Sequence, residues 1–202
     1  RALHDRMPPF EPRAFIGRTV KEMDQALHNR GATAPKEALS CSASGMEAVL
    51  ALLCDEAAES TTRREAALKI GAMRADAQVE DVARVVQQLA STHDCDVGGG
   101  QMSVRRAALL AFTELANGPD GVPSAVVSCA PAVTALLNHA NPDAREMAVR
   151  AISSLGKHAD CVAVAERLED EDDVRSAAAD TLITLRDTLS PDGLDAIALR
   201  LR

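Results

Sequence analysis

The densest set of chemically capable side chains is His93-Asp94-Cys95-Asp96, which offers imidazole, carboxylate and thiolate within four residues, just before the run Gly98-Gly99-Gly100. Such groups bind divalent metals. A structural zinc site, however, needs four ligands in tetrahedral array, and no second Cys/His pair lies nearby in the sequence. The glycine run lacks the lysine and following Ser/Thr of a phosphate cradle, so His93–Gly100 reads as a polar, flexible surface loop. The acidic run Glu169-Asp170-Glu171-Asp172-Asp173 has no calcium-loop spacing, and carboxylates ahead of a helix are favoured there by the dipole alone. Cysteines stand at 41, 54, 95, 129 and 161, an odd set without a C-x-x-C pair, which fits reduced thiols buried as small apolar groups. G-x-S-x-G, Walker and H-E-x-x-H patterns are absent. The reading is therefore non-enzymatic, with no catalytic, cofactor-binding or metal residues to nominate.

The elements that would carry these groups are helical. In 202 residues there are only three aromatic side chains, Phe10, Phe15 and Phe112, while alanine, the best helix former, is the commonest residue. The net charge is −8, and it is unevenly placed: residues 1–37 are net basic by two, leaving the remainder net acidic by ten. That balance excludes general nucleic-acid binding through phosphate neutralisation. No apolar run is long enough to cross a bilayer. The chain is expected to be soluble and intracellular, cytoplasmic or organellar, and its first residue, Arg1, suits either a mature chain whose targeting segment has been removed or a fragment of a longer one.

Four segments superpose without gaps: TRREAALKIGAM from Thr62, VRRAALLAFTEL from Val104, AREMAVRAISSL from Ala144 and VRSAAADTLITL from Val174. Each has arginine second (Arg63, Arg105, Arg145, Arg175) and alanine three residues on (Ala66, Ala108, Ala148, Ala178). An apolar residue follows at the seventh place (Ile70, Phe112, Ile152, Leu182) and another at the tenth (Met73, Leu115, Leu155, Leu185). Those offsets trace one helix face. The arginines are separated by 42, 40 and 30 residues, the spacing of helix-pair repeats with an abridged last unit.

The first helices of the pairs are expected near 46–58, 78–91, 123–139 and 160–169, with Pro131 either kinking or splitting the third. Ser44 with Glu47 and Thr62 with Glu65 have capping-box spacing, and Asn141-Pro142 and Ser190-Pro191 suit helix starts. Gly31, Gly118 and Gly156 suit helix ends.

The segment Asn141-Pro142-Asp143-Ala144-Arg145, running on through Ala148, Ile152 and Leu155, resembles the second helix of a HEAT repeat. The closer spacing to Asp173-Val174-Arg175 is similar to the compact HEAT-like repeats of phycobilisome lyases. The likeness spans residues 44–202 and implies an all-α fold, a right-handed α-α superhelix of about four helix pairs: 44–75, 77–118, 122–157 and 159–188, with a terminal half-repeat at 190–202. Residues 1–43 are expected to cap the array, with Ile16, Val20, Met23 and Leu27 at helical spacing. Two kindred groups fit less well. Deoxyhypusine hydroxylases hold iron on His-Glu dipeptides, which this chain lacks, and armadillo importins use Trp, of which there is none.

A cation in the first turn of a helix opposes the dipole unless an acceptor holds it. Asp143 and the 169–173 turn are placed to hold the repeated arginines, passing an Arg–acid contact from one repeat to the next. The alanines are expected to mark close helix approaches. Functionally, the resemblance implies a protein-binding scaffold or adaptor subunit of a larger intracellular assembly, with other protein subunits as partners and no cofactor. The alternative is a chaperone or bilin-lyase-like protein. Leu194, Ile197 and Leu201, on one face of the last helix, are the candidate partner contact.

Overall fold

The computed structural model describes residues 45–55, 57–91, 102–189 and 191–200. These residues contain nine α-helices: α1 (Gly45–Cys54), α2 (Ser60–Ala72), α3 (Val79–Gln88), α4 (Val104–Ala116), α5 (Ser124–Ala135), α6 (Pro142–Ser153), α7 (Cys161–Glu166), α8 (Asp172–Leu185) and α9 (Pro191–Arg200). Short 3₁₀ turns follow α5 to α8, at Leu136–Asn138, Gly156–His158, Arg167–Glu169 and Arg186–Thr188. No strand occurs among the described residues. The expected cap over 1–43 lies outside them, as do Ser44, Ser190, Gly31 and the His93–Gly100 loop.

The helices form a two-layered solenoid. In the second layer, made of the second helices of the pairs, α2 lies against α4, α4 against α6 and α6 against α8. In the other, α1 meets α3, α3 meets α5 and α7 meets α9, and each of α1, α3, α5 and α7 also packs on the helix that follows it. The arrangement follows from the repeated apolar face, because a single amphipathic pair cannot bury that face and a neighbouring pair completes the core. Ile70, Phe112 and Ile152 are at most 1 % exposed, and Leu182 is 6 % exposed. The alanine column is equally buried, with Ala66 at 2 % and Ala108, Ala148 and Ala178 at 0 %.

Local signals account for several boundaries. Asn141 caps α6, its side-chain oxygen accepting from the Asp143 amide, with Pro142 in the first turn. Gly156 adopts a φ of +55° after α6, a left-handed conformation natural to glycine. At Gly118 a Cβ would lie 2.8 Å from the Gly121 carbonyl oxygen, so the turn after α4 requires a residue without a side chain.

Two expectations need correction. The pair Thr62 and Glu65 does not cap α2: the helix starts at Ser60, with Glu59 as N-cap, and the Arg63 amide already bonds to the Glu59 carbonyl at 3.0 Å. The Ser60 hydroxyl is used across the stack, accepting from the Met102 amide at 3.0 Å. Pro131 does not split the third first-layer helix either. It sits exposed within α5, which runs on to Ala135 before tightening into its 3₁₀ turn.

Candidate protein-binding surface

The repeated arginines are the most organised polar feature of the solenoid. The Arg63 Nη1 donates to the Met102 carbonyl at 3.0 Å and its Nε to the Asp55 carbonyl at 3.2 Å. The Arg105 Nη1 donates to Asp143 Oδ2 at 3.1 Å. Arg145 donates from Nε to Asp170 Oδ2 at 2.9 Å and from Nη2 to Asp170 Oδ1 at 2.6 Å, while its Nη1 holds the His139 carbonyl of its own turn. Each of these three reaches the turn or first residues of the next second-layer helix. Arg175 differs: it folds back to the Asp170 carbonyl and to Asp172 of its own helix, and its side chain is 50 % exposed.

Asp170 is the acidic residue most engaged by the stack. The Arg145 guanidinium holds its carboxyl below the usual carboxylate range against the opposing effect of burial, helped by the Glu171 amide and by Arg167. The 169–173 turn is thus a clasp between repeats at Asp170, while Glu171, Asp172 and Asp173 remain exposed. Those three, with Pro142, Asp143, Glu146 and Val174, line an open depression of about 510 Å³ at the start of α8.

Among the described residues, no group of three or more His, Cys, Asp or Glu side chains is arranged to hold a metal. Burial pushes the thiols of Cys54, Cys129 and Cys161 up, Arg84 opposing it at Cys54 and nearby acids adding to it at the other two. All three are free cysteines. No helix among the described residues is long and apolar enough to cross a membrane.

Leu52, Leu68, Val79 and Val162 are exposed on earlier helices, and the three most exposed large apolar side chains among the described residues lie on the last two. Ile183 on α8 is 54 % exposed, and on α9 Leu194 is 55 % and Leu199 62 % exposed. The anticipated stripe of Leu194, Ile197 and Leu201 is divided by the packing. Gly193, Ala196 and Ile197 face the core, Leu194 points outward, and Leu201 lies outside the described residues. Leu199 and Ile183 were not anticipated. Ile183 had a signal in the sequence: eight residues after each repeated arginine stand Gly71, Thr113 and Ser153, then an isoleucine.

Residues 98–183 match the family model described as HEAT repeats. Among solved structures, a crystal structure of an engineered protein aligns with a TM-score of 0.45 at 19 % identity, over 77 % of this chain and 67 % of that one. Comparison with curated proteins found no match.

Proposed function

Because residues 98–183 match the HEAT-repeat family model, we propose that the chain is a non-catalytic protein-binding scaffold or adaptor, working as a subunit of a larger assembly inside the cell. HEAT repeats generally serve as protein-interaction scaffolds, and stacked helix pairs present an extended surface for that purpose. The observation that carries the reading here is α9, a ten-residue helix anchored by one face and leaving Leu194 and Leu199 in solvent. Large apolar groups held on a rigid helix favour a protein partner over a small ligand. Free thiols at Cys54, Cys129 and Cys161 support a reducing compartment.

The test is cross-linking in native extract followed by sizing, comparing the unmodified chain with Leu194→Asp/Leu199→Asp. Co-migration with a large assembly that the double variant loses, while its helical circular dichroism is kept, is the expected result. A chain that migrates as a monomer in extract and takes up a tetrapyrrole would replace this reading with the lyase-like one.

A further inference from the structure

The outward row of each second-layer helix is set by the repeat. Counting from the repeated arginine, the residues one and five places on lie on the far side of the helix from the buried alanine and apolar column. They are Arg64 and Leu68 on α2, Arg106 and Leu110 on α4, Glu146 and Arg150 on α6, and Ser176 and Asp180 on α8. Leu68 is 42 % exposed; Arg106, Arg150, Ser176 and Asp180 are exposed, and Arg64, Leu110 and Glu146 are half-buried.

The row changes character along the stack. On α6 its two side chains answer each other, the Arg150 Nε donating to Glu146 Oε1 at 2.8 Å. On α8 it is acidic, through Asp180. On α2 and α4 the same places hold an arginine and then a leucine. Two residues before the repeated arginine stand Thr61 and Ser103 in the first two repeats, against Asp143 and Asp173 in the last two. The single carboxylates of α2 and α4, Glu65 and Glu114, lie on one flank, Glu114 against Gly71 of α2. In a chain of net charge −8, α2 and α4 therefore present, side by side, an outward row of two arginines and two leucines without a carboxylate.

We infer that this patch docks an acidic amphipathic helix of a partner protein. Packed helices lie about 8–10 Å apart, close to two turns of an α-helix. A helix laid across α2 and α4 thus meets Leu68 and Leu110 with apolar side chains two turns apart on its own surface. Arg64 and Arg106 form a parallel row one turn away, where the partner's carboxylates fall. Glu114, one turn beyond Leu110, confines the acidic stripe of the partner to the arginine side. Charge and apolar contact select this occupant together. An acidic segment without apolar residues would leave the leucines wet, and a nucleic-acid backbone running along the stack would meet Asp143 and the acidic row of α8. The inference rests on the scaffold reading but uses a surface other than Leu194 and Leu199.

The probe is a fluorescein-labelled peptide of about 18 residues, long enough to be helical. It is made of Leu, Ala and Glu, with the leucines on one helical stripe and the glutamates beside them; its control carries Lys in place of Glu. Anisotropy titration with the full chain is expected to give a Kd of about 10–100 µM for the acidic peptide, weakened by salt, and binding at least about tenfold weaker for the basic one. Arg106→Glu and Leu68→Glu are each expected to weaken the acidic peptide at least about fivefold, and circular dichroism verifies that both variants fold. Leu194→Asp/Leu199→Asp is expected to bind the peptide unchanged, so loss of the assembly in extract and loss of peptide binding are read separately. No binding of the acidic peptide at about 500 µM, equal binding of the basic one, or indifference to both Arg106→Glu and Leu68→Glu would each overturn the inference, as would loss of binding in the α9 double variant.

Discussion

Arg145 and Asp170, twenty-five residues apart in the chain, face each other through two hydrogen bonds that use both carboxylate oxygens, at 2.9 and 2.6 Å. Their side chains are only 13 % and 11 % exposed. The paired geometry fits the planar guanidinium to the carboxylate, the strong form of this contact. It joins the start of α6 to the turn before α8, where the sequence interval between repeats is shortest.

The contact makes stability pH-dependent in a defined direction. Arg145 holds the Asp170 carboxyl below its ordinary value, so its contribution is complete above the unfolded value of about 3.9 and is lost as pH falls through the lower folded value. Asp170→Asn is expected to cost about 1.5–3 kcal/mol near neutrality, with the gap from the unmodified chain narrowing in acid. Urea unfolding at pH 7 and in the acid range measures it. A gap of equal size at both would mean that the charge of Asp170 is irrelevant.

Equivalent arginines should differ in cost because their surroundings differ. Arg105 is 5 % exposed and donates to Asp143, whose side chain is 64 % exposed, so Arg105→Ala removes a buried, packed stem and a charged hydrogen bond and is expected to cost about 1.5–3 kcal/mol. Arg175→Ala removes a half-exposed side chain and should cost at most about 1 kcal/mol. Thermal melts, compared side by side, check the ranking.

The small residues facing neighbouring helices set the spacing of the stack. Gly71→Ala drives a methyl into Glu114 of α4, and Ala148→Leu adds three carbons at a position with 0 % exposure. Each is expected to cost about 1–3 kcal/mol through overpacking. An unchanged melting temperature for Ala148→Leu would show that its slot is not a close contact.

Burial raises the pKa of Cys129 and Cys161 and so depresses the thiolate fraction at neutral pH. Alkylation by iodoacetamide near pH 7.5 should be slow at both in the folded chain and fast in urea. Peptide mapping of the modified sites reads this, and equal rates in both states would contradict the burial.

The repeat was legible in the sequence because it is a local property: Arg, Ala and two apolar residues at helical offsets recur wherever a second-layer helix must bury the same face. The partners of the arginines were partly legible. Asp143 and the 169–173 turn could be named from position, yet only packing chose Asp170 within that turn and brought Arg63 to the Met102 carbonyl. The start of α2 was misplaced for a related reason, since the Ser60 hydroxyl answers to Met102 in the next repeat and not to its own helix.

Exposure was the least legible property. Ile197 and Leu194 look alike in the sequence, and the docking of α9 sends the first inward and leaves the second in water. Ile183 likewise occupies a column whose other members are covered, and nothing local distinguishes it as the exposed one. Helix identity, repeat length and the buried face were determined by the sequence itself, because periodicity and propensity act within a few turns of chain. Which acceptors the arginines find, how closely the helices approach and which apolar side chains remain uncovered were decided by the tertiary stack, because each depends on a neighbour brought in from another repeat.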